Sequence, residues 1–280
     1  MKIFKTKKEL CQFLDKLRAE NKTIGFVPTM GALHQGHLSL IKKSIKKTNI
    51  TVVSIFVNPT QFDNKEDLEK YPNTLKNDIR LLESVTCNIL FTPSVDEIYS
   101  GNTVAEHFNF DGLEYQMEGK FRKGHFNGVG TIVKTLFEIV QPDFAFFGKK
   151  DFQQLQIIKK MVKKEQLTVK IKGCKIFREK DGLAMSSRNA RLTKEYRKVA
   201  PFIYKTLKKA KKKFGTINAK ELTEWVEKKF QKHPLLKLEY FTIADEKTLE
   251  TTSKIHPKKK YRGFIAVFAG NIRLIDNIQF

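Results

Sequence analysis

The stretch TIGFVPTMGALHQGHLSLIKKSIKK, Thr23 to Lys47, decides the architecture. Thr23 to Thr29 is a short apolar run rich in strand-forming residues and reads as a buried strand. From His37 to Lys47, Leu38, Ile41 and Ile45 recur at helical spacing and predict an amphipathic helix with lysines on its other face. Between them lies a turn containing glycine and two imidazoles, His34 and His37. A buried strand feeding a helix through a polar turn is the opening unit of a parallel sheet covered by helices.

The pattern repeats outward from there. Strands are expected at Ile50–Val57, Cys87–Thr92, Phe144–Phe147 and Thr168–Gly173, with helices at Leu75–Ser84, Val129–Val140 and Phe152–Glu165. The fold class expected is α/β, a Rossmann-like parallel sheet, whose ligands sit beyond the carboxyl ends of the strands. The character changes after about Arg191. Two long helical stretches, Lys194–Phe214 and Ala219–Lys232, precede strands at Lys237–Ala244, Arg262–Ala269 and Ile272–Ile275, with a hairpin turn at Gly270-Asn271. Residues 1–178 are expected to form the larger domain and 179–280 a smaller α+β domain that closes over the site.

Composition narrows the function. The chain has 280 residues, 40% hydrophobic and 11% aromatic, which supports a packed core rather than disorder. Its apolar runs are too short to cross a bilayer, and the N-terminus lacks the uninterrupted apolar run of a secretion signal. The 3 cysteines are isolated, which argues against a disulfide framework or a zinc site and for a reducing cytoplasm. The net charge of +23 would suit a nucleic-acid binder. The lysines, however, are spread over helix faces with no aromatic-interleaved RNA signature, so no nucleic acid and no membrane is expected as partner.

Polar motifs fall where strands end. At His34-Gln35-Gly36-His37 a glycine allows close backbone approach, and a helix start offers N–H groups and a positive dipole to an anion. The imidazoles can donate to phosphate oxygens as charge builds. Asn58 and Gln61 follow the second strand, and uncharged amides there suit a small hydroxylated acid. Lys150 follows another strand and can neutralise phosphate, with Asp151 to take a ribose hydroxyl or orient the lysine; a surface ion pair is the plain alternative. Ser186, Ser187 and Arg188 combine hydroxyls and a guanidinium in a loop, which suits polyphosphate. The same segment could simply precede a helix capped by Asn189 or Thr193.

These motifs resemble the His-x-Gly-His nucleotidyltransferases, and in particular the pantothenate synthetase family. The resemblance rests on PTMGALHQGH (28–37), VNPTQF (57–62), KYPNT (70–74), GHFNGV (124–129), FGKKDFQQL (147–155) and REKDGLAMSSRN (178–189), all in that family's order. It implies ATP-dependent condensation of pantoate with β-alanine through an acyl-adenylate, with AMP and pyrophosphate released. It implies an ATP site built from Met30, Gly31, Ala32, Leu33, His34, Gln35, Gly36 and His37. Gly148, Lys149, Lys150 and Asp151 would add to it, as would Phe177, Met185, Ser186, Ser187 and Arg188. The residues expected to drive the chemistry are His34, His37, Lys150 and Arg188. Pantoate is expected at Asn58, Gln61 and Gln154, and β-alanine at Gln61. Mg²⁺ is expected on the ATP phosphates rather than on a protein ligand set, and the family is usually a homodimer. Two departures stand out: Lys149 where the family usually has an acidic residue, and Phe152 where it commonly has tyrosine. The rival readings are another nucleotidyltransferase of this architecture or a basic RNA-binding protein.

Overall fold

The computed structural model describes residues 1–62 and 65–280, without the side chain of Lys65. In chain order the elements begin β1 (Lys2–Phe4), α1 (Lys7–Ala19), β2 (Ile24–Thr29), α2 (Gln35–Ile45), β3 (Ile50–Ile55), α3 (Lys65–Glu69), α4 (Leu75–Glu83) and β4 (Ile89–Phe91). They continue α5 (Val95–Tyr99), α6 (Met117–Phe121), α7 (His125–Val140), β5 (Phe144–Gly148), α8 (Phe152–Lys164) and β6 (Lys170–Cys174). The last are α9 (Lys194–Val199), α10 (Phe202–Lys213), α11 (Ala219–Gln231), β7 (Leu236–Asp245), β8 (Tyr261–Ala269) and β9 (Ile272–Gln279).

β1 to β6 form one parallel sheet in the order β1-β4-β3-β2-β5-β6. Side-chain alternation sorts its two faces. Ile24 and Phe26, Val52, Ile89 and Phe91, Ala145 and Phe147 face the core shared with α1, α7 and α8. The intervening Val27, Val53, Leu90 and Phe146 face the core shared with α2 and α4. The expected class therefore holds: an α/β parallel sheet followed by a small three-stranded antiparallel sheet, β7-β8-β9. A separate core joins that second sheet to α10, α11 and Leu183. The two units also share packing, because Ala244, Leu249 and Phe264 belong to the first core.

After β2 the chain proceeds outward through β3 and β4, whereas β5 lies on the other side of β2. The order thus reverses between β2 and β5, and a crevice opens there at the strand ends.

β1 and α1 add to the expected elements; a strand of 3 residues is too short a run to show a period. Three expectations need correction. α7 begins at His125, ahead of Val129. The long helix expected over Lys194–Phe214 is two helices, because Pro201 has no N–H to donate and its ring crowds the preceding turn. β9 runs to Gln279 rather than Ile275.

Candidate active site

At the β2–β5 reversal lies a cavity of about 280 Å³, walled by the segments that follow β2, β3, β5 and β6. After β2, Gly31 (φ 81°) and Ala32 (φ 48°) turn the chain through left-handed conformations. Asp78 of α4, only 1% exposed, fixes this turn by accepting from Ala32 N at 3.0 Å and Leu33 N at 2.8 Å. Thr74 Oγ1 donates to the same carboxylate.

The turn then delivers the imidazole pair. His34 caps α2, its Nδ1 accepting from Gly36 N at 3.1 Å, and His37 Nδ1 accepts from His34 N at 3.3 Å. Both Nδ1 lone pairs are thereby occupied, so each neutral ring carries its proton on Nε2. The rings stack with centroids 4.0 Å apart. Burial, then the Lys150 charge, lowers the His34 pKa to about 4. Burial, then His34, then Lys150, holds His37 well below the usual imidazole range. The site therefore presents two neutral Nε2–H donors rather than two cations. Gly36 has a local reason: a Cβ there would lie 2.7 Å from His34 Cε1. Its N–H is not left open for an anion, since it also points to Met185 Sδ at 3.3 Å.

Further wall comes from the segment after β3. Asn58 is 1% exposed, and its amide is spent inside the protein. Its Nδ2 donates to Gly128 O at 3.0 Å, and its Oδ1 accepts from Tyr99 Oη at 2.5 Å and Thr60 Oγ1 at 3.1 Å. It fixes the Pro59–Gln61 turn against α7, where Gly128 leaves room for the Thr60 carbonyl. His125 Nδ1 meets Gln61 O at 2.8 Å, which anchors the same turn. Gln153 is likewise internal: it accepts from Glu118 N and donates to Leu113 O and Gln116 O. Gln154 reaches the cavity, as does Gln61.

After β5, Lys150 faces the cavity with Asp151 Oδ1 3.3 Å from its Nζ. Phe152 is buried under the Arg262 guanidinium, which lies 4.1 Å from its ring centroid. The Met185–Arg188 loop closes the rim. Ser187 Oγ donates to Ala32 O at 3.0 Å, and Arg188 Nη2 donates to Asp67 Oδ2 at 2.6 Å. Arg191 Nη1 takes the other oxygen of Asp67 at 3.0 Å. Ser186 caps the 3₁₀ turn Ser187–Arg191, and Thr193, as one reading had it, caps α9.

The expected residues do converge. Met30, His34, Gly36, His37, Asn58, Gln61, Gly148, Lys150, Asp151, Gln154, Phe177, Met185, Ser186, Ser187 and Arg188 all line this one cavity. Gly31, Ala32, Leu33, Gln35 and Lys149 are not on its wall. Leu33 is core, Gly31 and Ala32 form the supporting turn, and Lys149 lies beside Gly173 of β6. Sequence reasoning missed Asp78, Glu118, Arg122, Tyr240 and Asn277. Of these only Asp78, an acid between Leu75 and Leu82 of an apolar helix face, left a legible signal. Glu118 is held by Arg273 at 2.7 and 2.8 Å and by Tyr240 Oη at 2.8 Å, across from the second sheet.

The sequence model of the family described as Pantoate-beta-alanine ligase matches residues 2–279. Pantothenate synthetase from Flavobacterium psychrophilum is 56% identical, covering 100% of this chain and 99% of that protein. Pantothenate synthetase from Bacteroides thetaiotaomicron is 49% identical over 100% and 99%. Among solved structures, pantothenate synthetase from Thermus thermophilus superposes with a TM-score of 0.92 at 37% identity, over 100% of this chain and 99% of that one. Pantoate-beta-alanine ligase from Francisella tularensis, complexed with beta-gamma ATP and beta-alanine, gives 0.83 at 37% identity over 100% and 97%. By fold, by site and by likeness along its whole length, the chain belongs to the pantoate–β-alanine ligase family.

Proposed function

We propose that this chain joins (R)-pantoate to β-alanine in two steps at the cavity between β2 and β5. A pantoate carboxylate oxygen attacks the α-phosphorus of ATP, and the bond to the bridging oxygen breaks with its electron pair leaving on pyrophosphate. The β-alanine amine then attacks the acyl carbon. The carbon–oxygen bond to the phosphate breaks, AMP departs, and the amine proton passes to solvent.

The observation that carries this reading is the pairing of two chemistries in one cavity. Its wall carries two Nε2–H donors, Lys150 and the Ser186–Arg188 loop together with the uncharged amides of Gln61 and Gln154. As the carboxylate closes on phosphorus, negative charge grows on the non-bridging oxygens, and fixed donors lower that barrier without reorganising. Neutral imidazoles fit this task because they favour the developing charge without also clamping the ground state as cations would. Lys150 adds a full positive charge, and Arg188 exchanges Asp67 for phosphate oxygens when ATP enters. Pantoate lies along Gln61 and Gln154, with Asn58 holding the Gln61 turn, and β-alanine approaches beside Gln61.

Magnesium belongs with the triphosphate. Of the carboxylates on the cavity wall, Glu118 is bound by Arg273 and Asp276 by Arg178, which leaves Asp151 beside Lys150. That set fits an ion arriving on phosphate oxygens, where it would neutralise charge. We place the division between units at 178/179, with residues 179–280 closing over the nucleotide, and we assign the enzyme to the cytoplasm as a homodimer. No helix among the described residues is long and apolar enough to cross a membrane. The test is product formation from ATP, pantoate labelled with ¹⁸O in its carboxylate, and β-alanine. The expected result is pantothenate together with AMP carrying one ¹⁸O. Label in inorganic phosphate, or a dinucleotide product, would overturn the reading.

A further inference from the structure

We propose that Asn277, in the antiparallel sheet far along the chain, is a positioning residue for the adenylation step, holding the turn that presents Lys150. This rests on the reading of Lys150 given above.

Asn277 is 2% exposed on β9, and its carboxamide is fully used. The Nδ2 donates to Lys149 O at 3.0 Å and to Lys150 O at 2.8 Å. The Oδ1 accepts from Arg262 Nη1 at 2.6 Å. The network fixes the orientation: a flipped amide would set oxygen against two carbonyls and NH₂ against a guanidinium. Arg262 is held in turn by Glu246 Oε1, at 2.9 and 2.6 Å, and lies over the ring of Phe152. Two consecutive carbonyls, and the Phe152 ring two residues beyond them, are therefore gripped from the second sheet. The gripped turn is the 3₁₀ segment Lys149–Asp151, between β5 and α8.

The neighbouring Asp276 shows the same arrangement serving the other ATP-facing segment. Its carboxylate receives both Arg178 Nη groups at 2.6 and 2.9 Å, and Arg178 Nη1 also donates to Gly182 O at 3.1 Å. Gly182 lies at the root of the loop that ends in Met185–Arg188. One dipeptide of β9 thus sets the Lys150 turn on one side and the phosphate loop on the other. A placement error of about 1 Å in a group that acts by position costs about 100-fold in rate.

The diagnostic variant is Asn277→Asp, which keeps the volume and the Arg262 contact but turns two donors into acceptors facing carbonyls. Asn277→Ala is its companion, and circular dichroism confirms that each folds. Both should lower pantoate-dependent exchange of pyrophosphate into ATP by about 100-fold, with KM for β-alanine in the overall reaction unchanged. In a Lys150→Ala background, Asn277→Asp should add less than about threefold, because residues acting as a unit are non-additive. Independent, multiplying losses would overturn the proposal, as would a shifted KM for β-alanine, which marks general damage to the cavity. Normal exchange in folded Asn277→Asp alongside a defective Lys150→Ala overturns Asn277 alone. Normal exchange in Lys150→Ala with a defective Asn277→Asp instead removes the reading of Lys150.

Discussion

The chemistry rests on where two protons sit. Backbone N–H groups occupy Nδ1 of His34 and of His37, and burial removes the incentive for either ring to take a second proton. In the free enzyme the Cε1–H resonance of His34 should titrate near pH 4, and a midpoint near 6.5 would contradict the assignment. The sign follows from the depressed value. Protonation favours the unfolded chain, so the ring's contribution to stability is complete above pH 6.5 and is lost towards pH 4. A bound triphosphate brings anionic charge to the rings and should raise that midpoint. His37→Ala should fold normally and lose about 10²- to 10³-fold in adenylation, as measured by pyrophosphate release. Wild-type release would remove His37 from the mechanism. The imidazole pair was legible in the sequence as His-x-Gly-His at a strand end. The reason for the glycine was not: it makes room for the His34 ring, and only coordinates show that contact.

Elements set those residues by register and by turns. The parallel strands were readable because burial on both faces makes each an apolar run, and the helices because their apolar positions recur at 3.6 residues. The break at Pro201 was written in the sequence as well, yet the lysine-rich periodicity on either side hid it. Side chains that reach a turn from a remote element leave little local trace: Asn277 left none, and Asp78 showed only as an acid on an apolar helix face, with nothing to say which turn it holds. Its carboxylate satisfies two backbone N–H groups of the turn before α2. Asp78→Ala should cost about 1–3 kcal/mol through those unmatched groups. Urea denaturation measures it, and adenylation should fall with it because the turn carries both histidines. Undiminished stability and activity together would show that the turn holds itself.

At the scale of the whole molecule, the second sheet is tied to the first unit by buried charge as well as by apolar packing. Arg273 of β9 grips Glu118 of α6 and also Glu239 of β7. Burial would raise the Glu118 carboxyl, but Arg273 and Tyr240 outweigh it and hold it below its usual range. Arg273→Met should therefore destabilise by about 3–5 kcal/mol by stranding Glu118. Removing the exposed Lys220–Glu224 pair, 4.0 Å apart, should change nothing measurable in the same urea titration. Equal effects would mean that the Glu118 cluster contributes no more than a surface pair. This link has no signature in the sequence because Glu118 lies more than a hundred positions from Arg273 and Tyr240, and none of them belongs to a motif. The six motifs gave the identity of the cavity wall; what braces that wall came only from the fold. The central claim is that Nε2–H of His34 and of His37 meets the phosphates of ATP while pantoate lies against Gln61 and Gln154. A crystal structure with a non-hydrolysable ATP analogue and pantoate tests it most directly. The account predicts α- or β-phosphate oxygens within hydrogen-bond distance of both Nε2 atoms; phosphates bound away from the β2–β5 crevice would contradict it.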